Sequence, residues 1–285
     1  MEGRPDRESN IPPQANRLLD LELSGLSRSL LIPLVGRAVE SRRPDALFRD
    51  PLAVDSVDRL AGDLASFHKD WVALAAVAVR TELLDRAVRR FVTSRPGARV
   101  VNLGAGLCTR STRIDDGTRE WIDVDLPAVI GLRKQLFGEV PRSSTLAASV
   151  LDEDWLDGVE PAPGRPTLLV AEGLLIYFTE AEVQKLVVGL ARRLPGAELL
   201  FEAFSPLEVW LDSWSYSLRA AGVRVQWGLR SARNLESWSP AIRCLGESFY
   251  LDHHPQRWRW LAYLRWLPPV RRLMRIVHVR FERAI

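Results

Sequence analysis

Residues 99–125, RVVNLGAGLCTRSTRIDDGTREWIDVD, contain the pattern that decides the fold of this 285-residue chain. The apolar pair Val100-Val101 leads into the turn Gly104-Ala105-Gly106, and a second apolar stretch ends at Asp125. A glycine turn after a strand brings bare backbone N–H groups close to a ligand. A carboxylate about 20 residues further on, at the tip of the next strand, suits a pair of ribose hydroxyls. The pattern therefore predicts the nucleoside-binding half of an α/β sheet.

The same residues also have simpler interpretations. The glycine turn can merely join a strand to a helix, and Asp125 can cap the helix that begins near Leu126-Pro127. Thr109 stands where a dinucleotide fingerprint needs its third glycine, and the lysine of a phosphate-binding P-loop is missing. A nucleoside without a pyrophosphate fits better than a dinucleotide.

The chain after residue 98 alternates between strands and helices, which predicts parallel βαβ units. The predicted strands are 98–103, 120–124, 143–147, 167–172, 197–204, 245–251 and 274–282. The predicted helices are 108–114, 127–138, 180–194, 206–221, 232–238 and 255–267. The last strand fits either direction, including an antiparallel position near the sheet edge. Ligands in such sheets bind beyond the carboxyl ends of the strands.

The first 97 residues are predicted to form a short tail followed by helices. Residues 1–16 are polar and predict a flexible tail, and residues 17–97 predict an N-terminal helical cap before the sheet domain of residues 98–285. Gly25, Pro33 and Gly36 are expected to divide residues 18–40 into short helices. Further helices are expected to start at Asp50-Pro51 and to run from residue 70 to 92.

The composition indicates an ordinary globular protein. The net charge is only +3, which does not indicate nucleic acid as a partner, and the two cysteines form no disulfide framework or zinc spacing. Without a zinc spacing, no metal is expected. No apolar run approaches the roughly 20 residues needed to cross a bilayer, so no membrane is expected either. The charged, proline-broken N-terminus lacks the apolar core of a signal peptide, and a cytoplasmic location is expected.

Three further features are candidate site residues. The carboxylate of Glu172, followed by Gly173, lies within an apolar run, where it needs either an ion-pair partner or a cavity. Arg80 ends an apolar run and can grip a ligand carboxylate with two nitrogens, or lie on the surface near a helix end. Seven of the ten tryptophans fall in the last third, and a few, such as Trp210 and Trp214, can line a pocket for a flat substrate rather than a core.

Together these motifs resemble the leucine carboxyl methyltransferase superfamily, nearest to its tetracenomycin-type polyketide O-methyltransferase branch. The similarity covers about residues 25–283. The matching segments are LLIPLVGRAVESR at 30–42, FRDP at 48–51, Arg80-Thr81, VVNLGAGLCTR at 100–110, Asp125, EGLLIY at 172–177 and WGL at 227–229.

The resemblance implies a class I S-adenosylmethionine-dependent methyltransferase, with a Rossmann-like seven-stranded sheet and helices in 206–270 covering the substrate. It implies that Arg80 holds the methionine carboxylate, Asp125 the ribose and residues 149–150 the adenine. The implied cofactor-binding residues are Arg80, Asn102, Gly104, Ala105, Gly106, Asp125, Leu126, Ser149, Val150, Glu172 and Gly173. Arg37, Tyr177, Trp210 and Trp214 are expected to contact substrate. The chain departs from the family pattern at Cys108 and Ser149, both usually aspartate.

The expected acceptor is a carboxylate on a small molecule such as an aromatic polyketide of secondary metabolism. A carboxylate needs no general base, so positioning and desolvation would supply the catalysis. A phenolic or alcoholic acceptor would need a base, for which Tyr177 and His253 are weak candidates. A cofactor-binding protein of this fold without methyl transfer, in a regulatory or rearrangement role, is the remaining alternative.

Overall fold

The computed structural model describes residues 28–60, 70–159, 165–212 and 224–283, and its centre is a seven-stranded sheet. The strands are β1 Arg99–Leu103, β2 Glu120–Asp125, β3 Ser143–Ala147, β4 Thr167–Ala171, β5 Glu198–Phe204, β6 Ile242–Phe249 and β7 Met274–Phe281. Their order across the sheet is β3-β2-β1-β4-β5-β7-β6. The strands β1 to β5 are parallel, and β7 runs antiparallel between β5 and β6.

Helices lie on both faces of the sheet. The α-helices are α1 Leu31–Ser41, α2 Pro51–Arg59, α3 Trp71–Ser94, α4 Arg110–Arg113, α5 Pro127–Phe137, α6 Glu180–Arg193, α7 Pro206–Asp212, α8 Pro255–Trp258 and α9 Pro268–Arg271. Short 3-10 helices cover Arg28–Leu30, Asp154–Val159, Leu175–Tyr177, Ala232–Ser237, Tyr250–Asp252 and Arg259–Trp266. Within these described ranges, no helix is both long and apolar enough to pass through a membrane.

The strand predictions are confirmed within a few residues, and β6 begins three residues earlier than expected. The long helix expected over 255–267 is wrong, because Arg259 adopts φ +50° and breaks it into α8 and a 3-10 helix. Residues 232–237 also form a 3-10 helix rather than an α-helix. Part of the predicted helix 206–221, and the tail 1–16, lie outside the described residues.

The prediction that Pro33 and Gly36 divide the first helix is wrong. Both lie inside the continuous helix α1. Pro33 is in the first turn, where a backbone N–H has no partner within the helix, so its ring costs no hydrogen bond. Gly36 is where α1 crosses α3, and a Cβ there would lie 2.6 Å from Cγ1 of Val77. Gly25 lies outside the described residues.

The sheet brings the sequence motifs to one edge. The parallel register pairs Leu103 of β1 with Ala171 of β4, and Ala171 with Phe201 of β5. Consequently the glycine turn after β1 and Glu172 after β4 lie side by side at the carboxyl ends of the strands. The long helix α3 packs its apolar side, including Leu84 and Val88, on the neighbouring sheet face.

We expect Gly36→Ala to lower the free energy of unfolding. The added methyl meets the branched side chain of Val77, and overpacking of this kind costs about 1–3 kcal/mol, against a helix-propensity gain of about 1 kcal/mol. Urea denaturation measures the difference, and the pair Gly36→Ala with Val77→Ala should recover most of the loss.

Gly131 supplies the matched control. It also lies in a helix, α5, but nothing lies within 4 Å of a Cβ built on it. Gly131→Ala should therefore stabilise the protein by up to about 1 kcal/mol. Equal stabilisation by both alanine variants would contradict the close packing of α1 on α3.

Candidate functional site

A cavity of about 250 Å³ opens where the carboxyl ends of β1, β4 and β5 meet helices α1 and α3. The sheet contributes the glycine turn and Glu172-Gly173, and the helices contribute an apolar wall. The predicted residues that line it are Arg37, Arg80, Asn102, Gly104, Ala105, Gly106, Glu172, Gly173 and Tyr177. The sequence motifs therefore converge on one site.

The glycine turn requires glycine at both ends. Gly104 and Gly106 have φ values of +58° and +49°, which side chains rarely adopt. A Cβ on Gly104 would also lie 2.6 Å from Cδ1 of Leu174. The turn thus approaches the cavity with bare backbone.

Asp125 faces this turn. Its Oδ2 accepts a hydrogen bond from the Gly106 N–H at 2.7 Å, and its Oδ1 accepts one from the Leu126 N–H at 2.7 Å. Helix α5 has no side-chain cap, so the capping interpretation of Asp125 is wrong. Burial raises the pKa of Asp125, although these two backbone N–H groups act in the opposite direction.

The residues expected at the ribose and the adenine, together with Leu126, lie beyond the cavity along the same sheet edge. Asp125, Leu126, Ser149 and Val150 are not among its lining residues. Leu126 is 53% exposed, and the Ala148 N–H donates to the Asp125 carbonyl, which holds the end of β3 next to Asp125. The cavity therefore corresponds to the inner part of the expected cofactor site.

Two other predicted site residues, Trp210 and His253, lie away from the cavity, and a third is outside the described residues. Trp210 is 61% exposed and does not line the cavity, while Trp214 lies outside the described residues. His253 also lies away from the lining, with its Nδ1 3.5 Å from Nη2 of Arg86. Burial lowers the pKa of His253.

Arg80 is buried in the middle of α3, so the surface interpretation is wrong. Its Nη1 donates to Oε2 of Glu202 at 2.8 Å, and its Nε lies 2.9 Å from Oε1 of Glu172. The second contact is an ion pair without hydrogen-bond alignment, because both of its atoms lack a hydrogen-bond partner. Two of the three nitrogens thus face internal carboxylates, and among the described residues Nη2 contacts no carboxylate.

Arg80 and Glu172 belong to a buried chain of alternating charges. Arg110 joins Glu172 to Asp85, with contacts of 2.6 and 2.7 Å. Four arginines and four carboxylates take part, each at most 10% exposed: Arg37, Arg80, Arg110, Arg113, Asp50, Asp85, Glu172 and Glu202. The charges balance within the chain.

The pKa values follow from this pairing. Burial alone would raise the pKa of Glu172, but the guanidinium groups of Arg80 and Arg110 outweigh it and hold that pKa well below its ordinary value. Asp85 and Asp50 are buried carboxylates whose pKa values are likewise lowered by their arginine partners. All three therefore stay ionised at neutral pH.

Arg37 and Asn102 are held by internal partners although both border the cavity. Arg37 donates from Nε to Asp50 at 2.8 Å and from Nη2 to the Leu107 carbonyl. Asn102 donates from Nδ2 to Asp123 at 2.8 Å. Both side chains support the walls of the cavity.

Glu202 and Arg110 were not predicted as site residues. Glu202 carried the same signal as Glu172, a carboxylate inside an apolar strand, ELLFEAF. Arg110 ends the motif after the glycine turn, and its Nη1 lies 3.5 Å from the Cys108 thiol, a cavity-lining group. The family pattern usually has an aspartate in place of Cys108.

A family model described as leucine carboxyl methyltransferase matches residues 31–191, more than half of the chain. The chain belongs to the leucine carboxyl methyltransferase family. It is 34% identical to the tetracenomycin polyketide synthesis O-methyltransferase TcmP of Streptomyces glaucescens over 269 residues, which cover 92% of this chain and 98% of that relative. Family membership confirms the resemblance and identifies the chain as a methyltransferase.

Solved structures confirm the fold class. A duf574 family protein from Streptomyces avermitilis matches with TM-score 0.59 at 14% identity, covering 91% of this chain and 99% of that protein. Magnesium protoporphyrin IX methyltransferase (ChlM) from Synechocystis PCC 6803, with bound SAH, matches with TM-score 0.50 at 12% identity. The match covers 81% of this chain and 94% of that protein. This family member thus has the seven-stranded methyltransferase sheet that the sequence predicted.

Arg110→Met should destabilise the protein by about 3–5 kcal/mol at pH 7, because Asp85 and Glu172 each lose one of their two arginine partners and the buried chain is left with one excess negative charge. The cost should shrink on acidification. Folding lowers the pKa values of Glu172 and Asp85, so their ionisation stabilises the wild type when the pH is above their ordinary pKa values of 4.5 and 3.8. This stabilisation is lost progressively as the pH falls below those values. Urea denaturation between pH 7 and pH 3.5 measures both effects.

Arg192→Met is the control, since Arg192 and Glu153 form a pair that is 68% and 44% exposed. Its cost should stay within about 1 kcal/mol at every pH. A similar small cost for Arg110→Met would show that the buried chain of charges contributes little to stability.

Proposed function

We propose that this chain is an S-adenosylmethionine-dependent O-methyltransferase whose acceptor is a carboxylate on a flat, apolar small molecule. The observation that carries the proposal is that one cavity has two unlike sets of lining residues. One set is the glycine turn, Glu172 and Arg80, and the other is apolar and comes mostly from α1 and α3. We place the cofactor at the first end of the cavity and the acceptor at the second.

The residues at the first end fit the cofactor. Arg80 Nη2 is not fully buried and has no hydrogen-bond partner within the described ranges, so it remains for the methionine carboxylate. Glu172 also lines the cavity beside Arg80, and we assign the methionine ammonium to it. We assign the ribose to Asp125, and the adenine to the surface of Leu126, Ser149 and Val150.

The second end fits an apolar acceptor. Its apolar lining consists of Leu30, Ile32, Pro33, Val72, Ala73, Ala76, Val77, Ile176, Phe204 and Met274. Such a lining excludes water and aligns a flat molecule, and alignment with desolvation supplies much of the catalysis in a displacement reaction. When bound, the cofactor supplies an electrophilic methyl group on a sulfonium. A carboxylate acceptor is already anionic, so no protein base is needed.

A hydroxyl acceptor is the second candidate, and one observation favours it. Asp70, Tyr177 and Glu208 border the cavity, and a carboxylate beside a phenolic acceptor is a suitable proton acceptor. The name of TcmP places that relative in polyketide synthesis, which supports an aromatic polyketide acceptor in either case. We place the reaction in the cytoplasm, and propose that residues 17–97 and the helices of 206–270 cover the substrate.

Asp125→Asn should weaken S-adenosylhomocysteine binding at least tenfold, because the amide removes the negative charge and replaces one acceptor oxygen by an NH₂ donor. Isothermal titration calorimetry measures the affinity. The control is Asp157→Asn, at a 70% exposed carboxylate paired with Arg193, which should not change it. An unchanged affinity at Asp125 would remove the ribose assignment.

Methyl transfer from isotopically labelled cofactor to a panel of aromatic acids and phenols tests the acceptor class. The expected product is a base-labile methyl ester, formed at a rate that changes little between pH 6 and 8, since the acceptor has no proton to lose. Base-stable ethers alone, with a rate that rises with pH, would establish the hydroxyl acceptor. Cofactor binding without any product would favour the role without methyl transfer.

A further inference from the structure

Glu202 is a buried carboxylate at the carboxyl end of β5, and it borders the cavity without belonging to any motif quoted above. We propose that Glu202 is a positioning residue, which fixes the Arg80 guanidinium so that Nη2 faces the methionine end of the cofactor site. The proposal rests on the proposed function, because it concerns the same cofactor.

Both carboxylate oxygens of Glu202 are engaged. Oε2 accepts from Nη1 of Arg80 at 2.8 Å, and Oε1 accepts from the Tyr250 hydroxyl at 2.8 Å. Glu202 is 2% exposed and Tyr250 is fully buried, so neither contact is exchanged for water. Tyr250 therefore holds the carboxylate from behind, and the carboxylate holds Arg80 from the side.

The backbone makes room for this arrangement at Gly173. Gly173 has φ +59°, and a Cβ there would lie 3.4 Å from Nη1 of Arg80 and 3.7 Å from Oε2 of Glu202. The glycine thus lies directly against the contact between the two side chains. This is a structural reason for glycine after Glu172, in addition to the expected cofactor contact.

These contacts fix which partner lies at each nitrogen of the Arg80 guanidinium. Glu172 lies at Nε and Glu202 at Nη1, so Nη2 is left. A planar guanidinium held at two points cannot rotate, and its third nitrogen has a defined direction. Without Glu202, Nη1 would also lose its partner, and the arginine would keep only the poorly aligned contact with Glu172.

The test compares two ligands that differ in the methionine tail. S-adenosylhomocysteine carries the carboxylate that Arg80 would bind, and 5′-methylthioadenosine lacks it. Glu202→Gln should weaken S-adenosylhomocysteine about tenfold, the size expected for disturbing one charge-assisted hydrogen bond, and leave methylthioadenosine within twofold. A merely structural role would weaken both ligands equally.

Glu198→Gln is the matched control on the same strand. Glu198 is paired with Arg280, Arg95 and His278, and it does not line the cavity. Its replacement should change neither affinity. If Glu202→Gln does not fold, Tyr250→Phe provides the second variant, with an expected loss of about threefold for S-adenosylhomocysteine alone.

The outcomes separate the two proposals. If the wild type binds neither ligand, the proposed function fails. If the wild type binds both, and Glu202→Gln or Tyr250→Phe binds S-adenosylhomocysteine as tightly as the wild type, the positioning role of Glu202 is overturned. Parallel weakening of both ligands overturns it as well.

Discussion

The structure depends on burying eight charges as one neutral chain beneath the cavity. An isolated charge in a protein interior costs several kcal/mol, and pairing offsets this only when every member has partners. Here Asp50 links Arg37 of α1 to Arg113 of α4, and Asp85 of α3 contacts both Arg113 and Arg110. Because the links connect the N-terminal helices to the loop after β1 and to the tip of β4, no element can move without unpairing a charge. The rigidity of the cavity follows from electrostatics as much as from apolar packing.

Glycine complements these charges at the places where elements come closest. Gly36 lets α1 approach Val77 of α3, and Gly104 lets the turn after β1 approach Leu174. Gly173 leaves space beside Arg80. Gly104 and Gly173 line the cavity, and Gly36 lies where α1 and α3, two of the elements that wall it, come into contact. A larger residue at any of them would fill space that the ligand or a buried pair needs, or strain a left-handed backbone.

Local patterns were sufficient to predict the sheet and the place of the site. The strands β1 and β4 are fully buried and mostly apolar, the glycine turn follows β1 directly and Asp125 ends β2, so residue type and spacing located them. What the sequence could not reveal were contacts between distant residues. Arg80 and Glu202 are 122 positions apart, and nothing local distinguishes a guanidinium that binds ligand with two nitrogens from one whose nitrogens are already engaged. The role of Gly36 was misjudged for the same reason, because glycine is needed there to make room for Val77 on another helix. The position of β7 between β5 and β6 is likewise a matter of long-range pairing.

The engaged state of the arginines also bears on the chemistry. Among the described lining residues, Arg37 and Arg80 are the only cations, and both face internal carboxylates. If the acceptor is a carboxylate, as proposed, it would have no protein counter-charge of its own in the apolar part of the cavity, and it would be desolvated there. The bound cofactor would then supply the remaining positive partner, its sulfonium. An anion that is stabilised mainly by the group it attacks is held close to the methyl carbon, and it is poorly solvated. Proximity and desolvation are the two conditions that favour displacement. A protein cation placed beside the acceptor would bind it more tightly but would also stabilise its ground state, and the reaction would gain less.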